Sequence, residues 1–211
     1  MQLSLFSSGR PRIDPAFVGA GGAALHHVDL GRGAWLERVS GWLHGHETVF
    51  RSVRRSARWR SAERKMYDRV VAVPRLMARF PEDGVGHPVL TDIAQALTRR
   101  YGYADWSRSA ALYRDGRDSV AFHGDRMGAQ RANTVVAIVS VGQPRRFMLR
   151  PAGGGPSIGF DVGWGDLVVM GGTCQATFEH AIPKAKGAGP RMALMFRPRV
   201  GQASHPGAFS R

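Results

Sequence analysis

The chain has 211 residues, 43% apolar and 22% charged, which suits one large domain or one domain with an extension. It offers no run of about 18 apolar residues to span a membrane, and Met1 to Arg12 lacks the basic and apolar pattern of a secretion signal. Thirty Lys and Arg against 16 Asp and Glu leave a net charge of +14, a field that attracts polyanions such as nucleic acid. The single cysteine, Cys174, excludes an internal disulfide and suits a reducing, cytoplasmic setting.

Residues 1 to 28 are rich in Gly, Ser and Pro and read as an extended arm. Trp35, Leu36, Val39, Trp42 and Leu43 follow i, i+1, i+4, i+7, i+8 spacing, which predicts a docking helix. Residues 51 to 88 carry many charges, two prolines and little periodicity, and predict a long surface element. Within them Arg51, Arg54, Arg55 and Arg58 would form one cationic stripe if helical, suited to phosphates or to solvent. A second helix is predicted from Val89 to Tyr101, with Gly102 as a left-handed cap.

After Tyr103 the texture changes to short apolar runs separated by Gly, Pro and Asp: 109–113, 134–141, 145–150, 157–162, 167–170, 176–179 and 192–196. Seven such runs predict an antiparallel sandwich or barrel, so the fold class is α+β, with helices supporting a β-core. The expected division is an arm over 1–28, supporting helices and a surface element over 29–104, the β-core over 105–199 and a flexible tail over 200–211.

Two features of the β-region carry chemistry. In His123-Gly124-Asp125, residues i and i+2 of an extended segment point the same way, and His180 lies near the end of a predicted strand. Two imidazoles and one carboxylate make a facial triad that leaves coordination positions open, although a His-x-Asp with a distant His also occurs without any metal. On the last predicted strand, alternation puts Arg191, Ala193, Met195 and Arg197 on one face. The two arginine Cα atoms should be ~20 Å apart. Long side chains leaning together could bracket a short dianion, or could line a solvated edge.

The succession of Tyr113-Arg114-Asp115-Gly116-Arg117-Asp118, His123-Gly124-Asp125, Ser140 to Phe147, Gly165-Asp166 to Gly171-Gly172, His180-Ala181-Ile182 and Arg191 to Arg197 resembles the AlkB family of Fe(II)- and 2-oxoglutarate-dependent dioxygenases. The likeness covers roughly residues 105 to 199, and Val73-Pro74-Arg75-Leu76 resembles a segment of that family's nucleotide-recognition lid. It implies a double-stranded β-helix, or jelly roll, with iron held by His123, Asp125 and His180. Arg191, helped by Tyr113, would pair with the distal carboxylate of 2-oxoglutarate, Arg197 would lie toward the metal, and Ser140 and Met170 would line the same pocket. The chain departs from the family at Ala111 and Ala193, where many members have Asn, and at Met127, where the well-known bacterial member is acidic.

The implied function is oxidative dealkylation of N-alkylated bases in DNA, or in RNA, consuming O2 and 2-oxoglutarate and releasing aldehyde, succinate and CO2. A base must then be taken from a single strand or extruded from a duplex. Arg54, Arg55, Arg58 and Arg75 are the candidate strand contacts, with Trp59 and Tyr67 as stacking candidates. The chain is expected to act as a monomer away from membranes. The alternatives are the same iron chemistry on a protein or small molecule, and a non-catalytic nucleic-acid-binding module, which would need neither the triad nor the arginine pair.

Overall fold

Alternation with a period of two, rather than helical spacing, governs the first ordered elements. In the computed structural model, which describes residues 10–13, 17, 19, 22–66, 69–81, 87–125 and 132–199, the chain opens with strands β1 (Arg12–Ile13), β2 (His26–Gly31), β3 (Ala34–Val39) and β4 (Leu43–His44). The helix expected from Trp35 to Leu43 is therefore mostly strand β3. Both its faces are covered: Ala34 and Leu36 enter one core while Val39 and Trp35 join another, so apolar residues on opposite faces imitated a helical stripe. The boundary expected at residue 28 falls inside β2, and Phe17 of the arm is buried against Trp42 and Tyr101.

Helix α1 (His46–Ser56) carries Arg51, Arg54 and Arg55 on its exposed side and buries Val49 and Val53. The surface element expected over 51–88 is instead the end of α1 followed by a hairpin of β5 (Arg60–Met66) and β6 (Arg69–Phe80), whose backbone extends a sheet through β6. Helix α2 (Pro88–Tyr101) runs as predicted and stops at Gly102, whose φ of 77° is the left-handed conformation that glycine adopts without penalty. Tyr67, Met127 and the tail 200–211 lie outside the described residues.

The rest is β: β7 (Trp106–Tyr113), β8 (Val120–His123), β9 (Val136–Gly142), β10 (Arg145–Pro151), β11 (Ile158–Val162), β12 (Asp166–Gly172), β13 (Phe178–Ile182) and β14 (Arg191–Pro198). The run expected as a strand from Ala176 to Glu179 starts as the short helix α3 (Cys174–Thr177) and becomes strand only at Phe178. An eight-stranded major sheet, in the order β2-β3-β12-β9-β14-β7-β6-β5, faces a four-stranded minor sheet, β11-β10-β13-β8. Every pairing is antiparallel, the predicted class, and the architecture is a jelly roll with supporting helices.

One core fills the space between the sheets, including Leu36, Ile138, Phe147, Leu149 and Ile182. The other lies between the outer face of the major sheet and the helices, where Leu90, Ile93 and Leu97 of α2 meet Trp106, Leu194 and Phe196. Each such side chain contributes about 1.5–3 kcal/mol on full burial. The Gly165-Asp166 to Gly171-Gly172 block proves architectural. Asp166 accepts the N–H groups of Gly41 at 2.8 Å and Gly163 at 3.0 Å, tying β12 to the turn before β4. A Cβ on Gly171 would overlap the Trp35 indole.

The second core also holds an ionic network. Glu37 of β3 is buried and accepts hydrogen bonds from Arg100 at 2.8 Å and from the Tyr101 hydroxyl at 2.6 Å, clamping α2 to the sheet. Burial alone would raise the Glu37 carboxyl, but the bonds from Arg100 and Tyr101 outweigh it and hold it below its usual range. A depressed carboxyl contributes stability that is present above its unfolded pKa and lost as pH falls through the folded one. Glu37→Gln should thus cost about 1.5–3 kcal/mol in urea unfolding at neutral pH, with the difference from wild type shrinking on acidification. A pH-independent difference would remove the charge from this account.

Candidate active site

His123 ends β8, His180 sits in β13, and the two stand directly opposite each other in the minor sheet. Opposed residues of an antiparallel pair project to the same side, and the two ring centroids are 4.4 Å apart. Asp125 follows just beyond β8, and one ligand atom from each of the three residues lies within 4.8 Å of the others. The sequence-predicted triad is therefore brought together.

Each member is held in place. His123 Nδ1–H donates to the Ala121 carbonyl at 2.9 Å, which leaves the Nε2 lone pair free. His180 is buried and stacks on Phe147, ring centroids 5.6 Å apart and planes 8° from parallel. The Asp125 N–H donates to Gln175 Oε1 at 3.1 Å, and Asp125 Oδ1 accepts from Arg197 Nη2 at 2.9 Å. Among the described residues Asp125 Oδ2 is buried without a partner, an arrangement that is costly unless a cation meets it.

Protonation follows from these surroundings. Burial drives the His180 imidazole down to about 4 and lowers that of His123 against the pull of nearby Asp125. Burial also raises the Asp125 carboxyl, but Arg197 and His180 outweigh it and hold it at about 2. Two neutral imidazoles and an ionised carboxylate are the state in which these groups bind a divalent cation, and the orphaned Oδ2 fits one.

Arg191 enters the same space from β14. It is fully buried, its Nη2 donates to Ser140 Oγ at 2.6 Å, and its Nε and Nη1 have no partner among the described residues. Burial pushes its guanidinium down to about 10. The two unmatched N–H groups fit a carboxylate, for which guanidinium is the natural fork. Tyr113, Arg191, Arg197 and the triad line one internal cavity of about 60 Å³ together with Arg75. Ser140 reaches it through Arg191. Met170 stands behind, accepting a weak bond from Gln175 Nε2 at 3.7 Å.

A second, open groove of about 990 Å³ reaches Asp125 and Arg197 from outside. Its walls carry Arg58, Arg60, Arg79, Arg108 and Arg199, of which only Arg58 was singled out from sequence. Arg54 and Arg55 are not among its lining residues, and the Trp59 indole N–H donates to the Arg54 carbonyl at 2.9 Å while packing on the helix-side core. Arg75 donates to the Tyr113 hydroxyl at 3.1 Å and faces the inner cavity instead of the groove. The groove arginines other than Arg58 carried no sequence signal, because their meeting depends on the hairpin pairing with β7, and Gln175 carried none because it meets Asp125 from 50 residues away.

The sequence matches the 2OG-Fe(II) oxygenase superfamily over residues 44–201. It is 36% identical over 87 residues to an uncharacterised protein of Acanthamoeba polyphaga mimivirus, covering 40% of this chain and 45% of that one. It is 27% identical over 173 residues to the alpha-ketoglutarate-dependent dioxygenase alkB homolog 3 of Bos taurus, covering 72% of this chain and 60% of that one. The chain thus matches about half the length of these curated relatives. Among solved structures it is similar in fold to OsALKBH1, with TM-score 0.56 at 15% identity, covering 82% of this chain and 100% of that one. Among the described residues no helix is long and apolar enough to cross a membrane.

Replacing His123, Asp125 or His180 by Ala should each weaken Mn(II) binding by more than about 100-fold, and Gln175→Leu, which frees the Asp125 backbone, by about tenfold. Calorimetric titration checks both. Wild-type affinity in the Asp125 variant would reject the centre.

Proposed function

The chain belongs to the 2OG-Fe(II) oxygenase superfamily and is AlkB-like within it, and from that premise we propose that it is an oxidative dealkylase of N-alkylated bases in nucleic acid. The observation that carries the nucleic-acid half of this reading is the arginine-walled groove ending at Asp125. Fe(II), bound with 2-oxoglutarate and O2, supplies oxidation of an N-alkyl C–H bond, with formation of succinate and CO2 and loss of the alkyl group as an aldehyde.

The chain's own residues do the rest. His123, Asp125 and His180 would hold the iron through His123 Nε2, the orphaned Asp125 Oδ2 and one ring nitrogen of His180. Arg191 would pair with the distal carboxylate of 2-oxoglutarate through its two free N–H groups, braced by Ser140. Arg197 fixes Asp125 so that one oxygen remains for the metal. The groove arginines would track the phosphates while the damaged base leaves its stack, an extrusion made cheaper when alkylation blocks pairing.

The test is incubation with Fe(II), 2-oxoglutarate, ascorbate and a panel of alkylated oligonucleotides, following succinate and base mass together. Loss of the alkyl mass coupled to succinate supports the reading. Succinate formation with every oligonucleotide unchanged would sink the nucleic-acid half. Neutralising Arg58, Arg60 and Arg79 together should weaken strand binding alike for all sequences and flatten its salt dependence, by ~0.7–0.9 in slope for each phosphate no longer neutralised. An unchanged slope would place the strand elsewhere.

A further inference from the structure

Arg75 belongs to the hairpin yet reaches the interior. It stands one residue before the Leu76–Leu112 pair of β6 and β7, beside Tyr113. Three guanidiniums surround that tyrosine ring, at 5.3 Å for Arg191, 5.7 Å for Arg145 and 6.0 Å for Arg75. Arg145 is held by the carbonyls of Asp115, Asp118 and Pro183, its Nε alone left without a partner among the described residues, and it does not line the cavity. Arg75 and Arg191 instead face the cavity, and Arg75 Nε together with Arg191 Nε and Nη1 is buried without a partner. Ala193, which also lines the cavity, and Ala111 opposite it in register carry only methyl groups, so no amide there competes for an anion.

Two unopposed cations sharing a buried space raise each other's energy, and an anion between them relieves both. We propose that Arg75 is a positioning residue of the cosubstrate pocket: with Tyr113 and Arg191 it grips the distal carboxylate of 2-oxoglutarate, and binding of that carboxylate fastens the hairpin beside the groove. This deepens the dioxygenase reading and rests on it. Because coupling is reciprocal, a hairpin that strengthens cosubstrate binding is itself strengthened by the cosubstrate.

The experiment titrates 2-oxoglutarate into the Mn(II)-loaded wild type and its Arg75→Met, Arg75→Lys, Tyr113→Phe and Arg191→Met variants, without turnover. Amide hydrogen exchange over residues 74–80 is followed with and without 2-oxoglutarate. Arg75→Met should bind about tenfold more weakly or worse, as expected for a lost charge-assisted bond, with part of the loss recovered by Arg75→Lys. Tyr113→Phe, which keeps the ring, should lose a smaller part. In wild type, 2-oxoglutarate should slow exchange over 74–80, and in Arg75→Met it should not. Wild-type affinity and protection in Arg75→Met, with affinity lost in Arg191→Met, would overturn this inference alone. Failure of the wild type to bind 2-oxoglutarate would overturn the dioxygenase reading and this inference with it.

Discussion

The register of β14 is the constraint on which the site depends. The strand is paired on both edges, with β7 and β9, so it cannot slip without breaking two ladders. Met192, Leu194 and Phe196 join the core beneath the helices, while Arg191, Ala193, Met195 and Arg197 line the space between the sheets. A one-residue slip would exchange these faces, burying guanidiniums against α1 and α2 and filling the cavity with apolar bulk. The helices therefore serve the site indirectly. By covering the outer face of the major sheet with Val49, Val53, Ile93 and Leu97, they make one register far more stable than the other.

Inside that register, burial sets the chemistry. The same desolvation that lowers both imidazoles and Arg191 pushes the Asp125 carboxyl up, and Arg197 at 2.9 Å outweighs it. A single ion pair thus keeps the carboxylate charged where the histidines are neutral. The N–H from Asp125 to Gln175 does the positional part of the same task, and Gln175 is itself anchored on Met170. Part of the +14 surplus is consequently interior, held by Arg145 and Arg191, each about 1% exposed, and it speaks of an anionic ligand as much as of an anionic partner outside.

Legibility in the sequence followed the range of the interaction. His123, Asp125, Arg191 and Arg197 could be paired up from sequence because strand alternation and short spacing are local, His180 was picked out by its place on a predicted strand, and the resemblance supplied the roles of all five. Helix α2 was readable from its stripe and Gly102. Strand β3 was not, since a strand buried on both faces has no empty face to betray its period. The hairpin β5–β6 was missed because its charges hide alternation, and its partner β7 lies beyond α2 in the chain. Arg75 shows the consequence. Its motif was noticed, but a role facing Tyr113 exists only once β6 pairs beside β7.

Asp125, Arg197 and Met77 line both the groove and the inner cavity, so the two spaces meet at an ion pair beside a methionine. Arg197, the cation at that junction, is already engaged by Asp125 at 2.9 Å and is further tied to Ser109 at 3.3 Å. The groove rim offers Arg58, Arg60 and Arg79, for which no carboxylate partner is found among the described residues, so an anion gains there. For the proposed substrate the rim is therefore the better seat for the phosphate backbone, which leaves the base as the part to reach the triad.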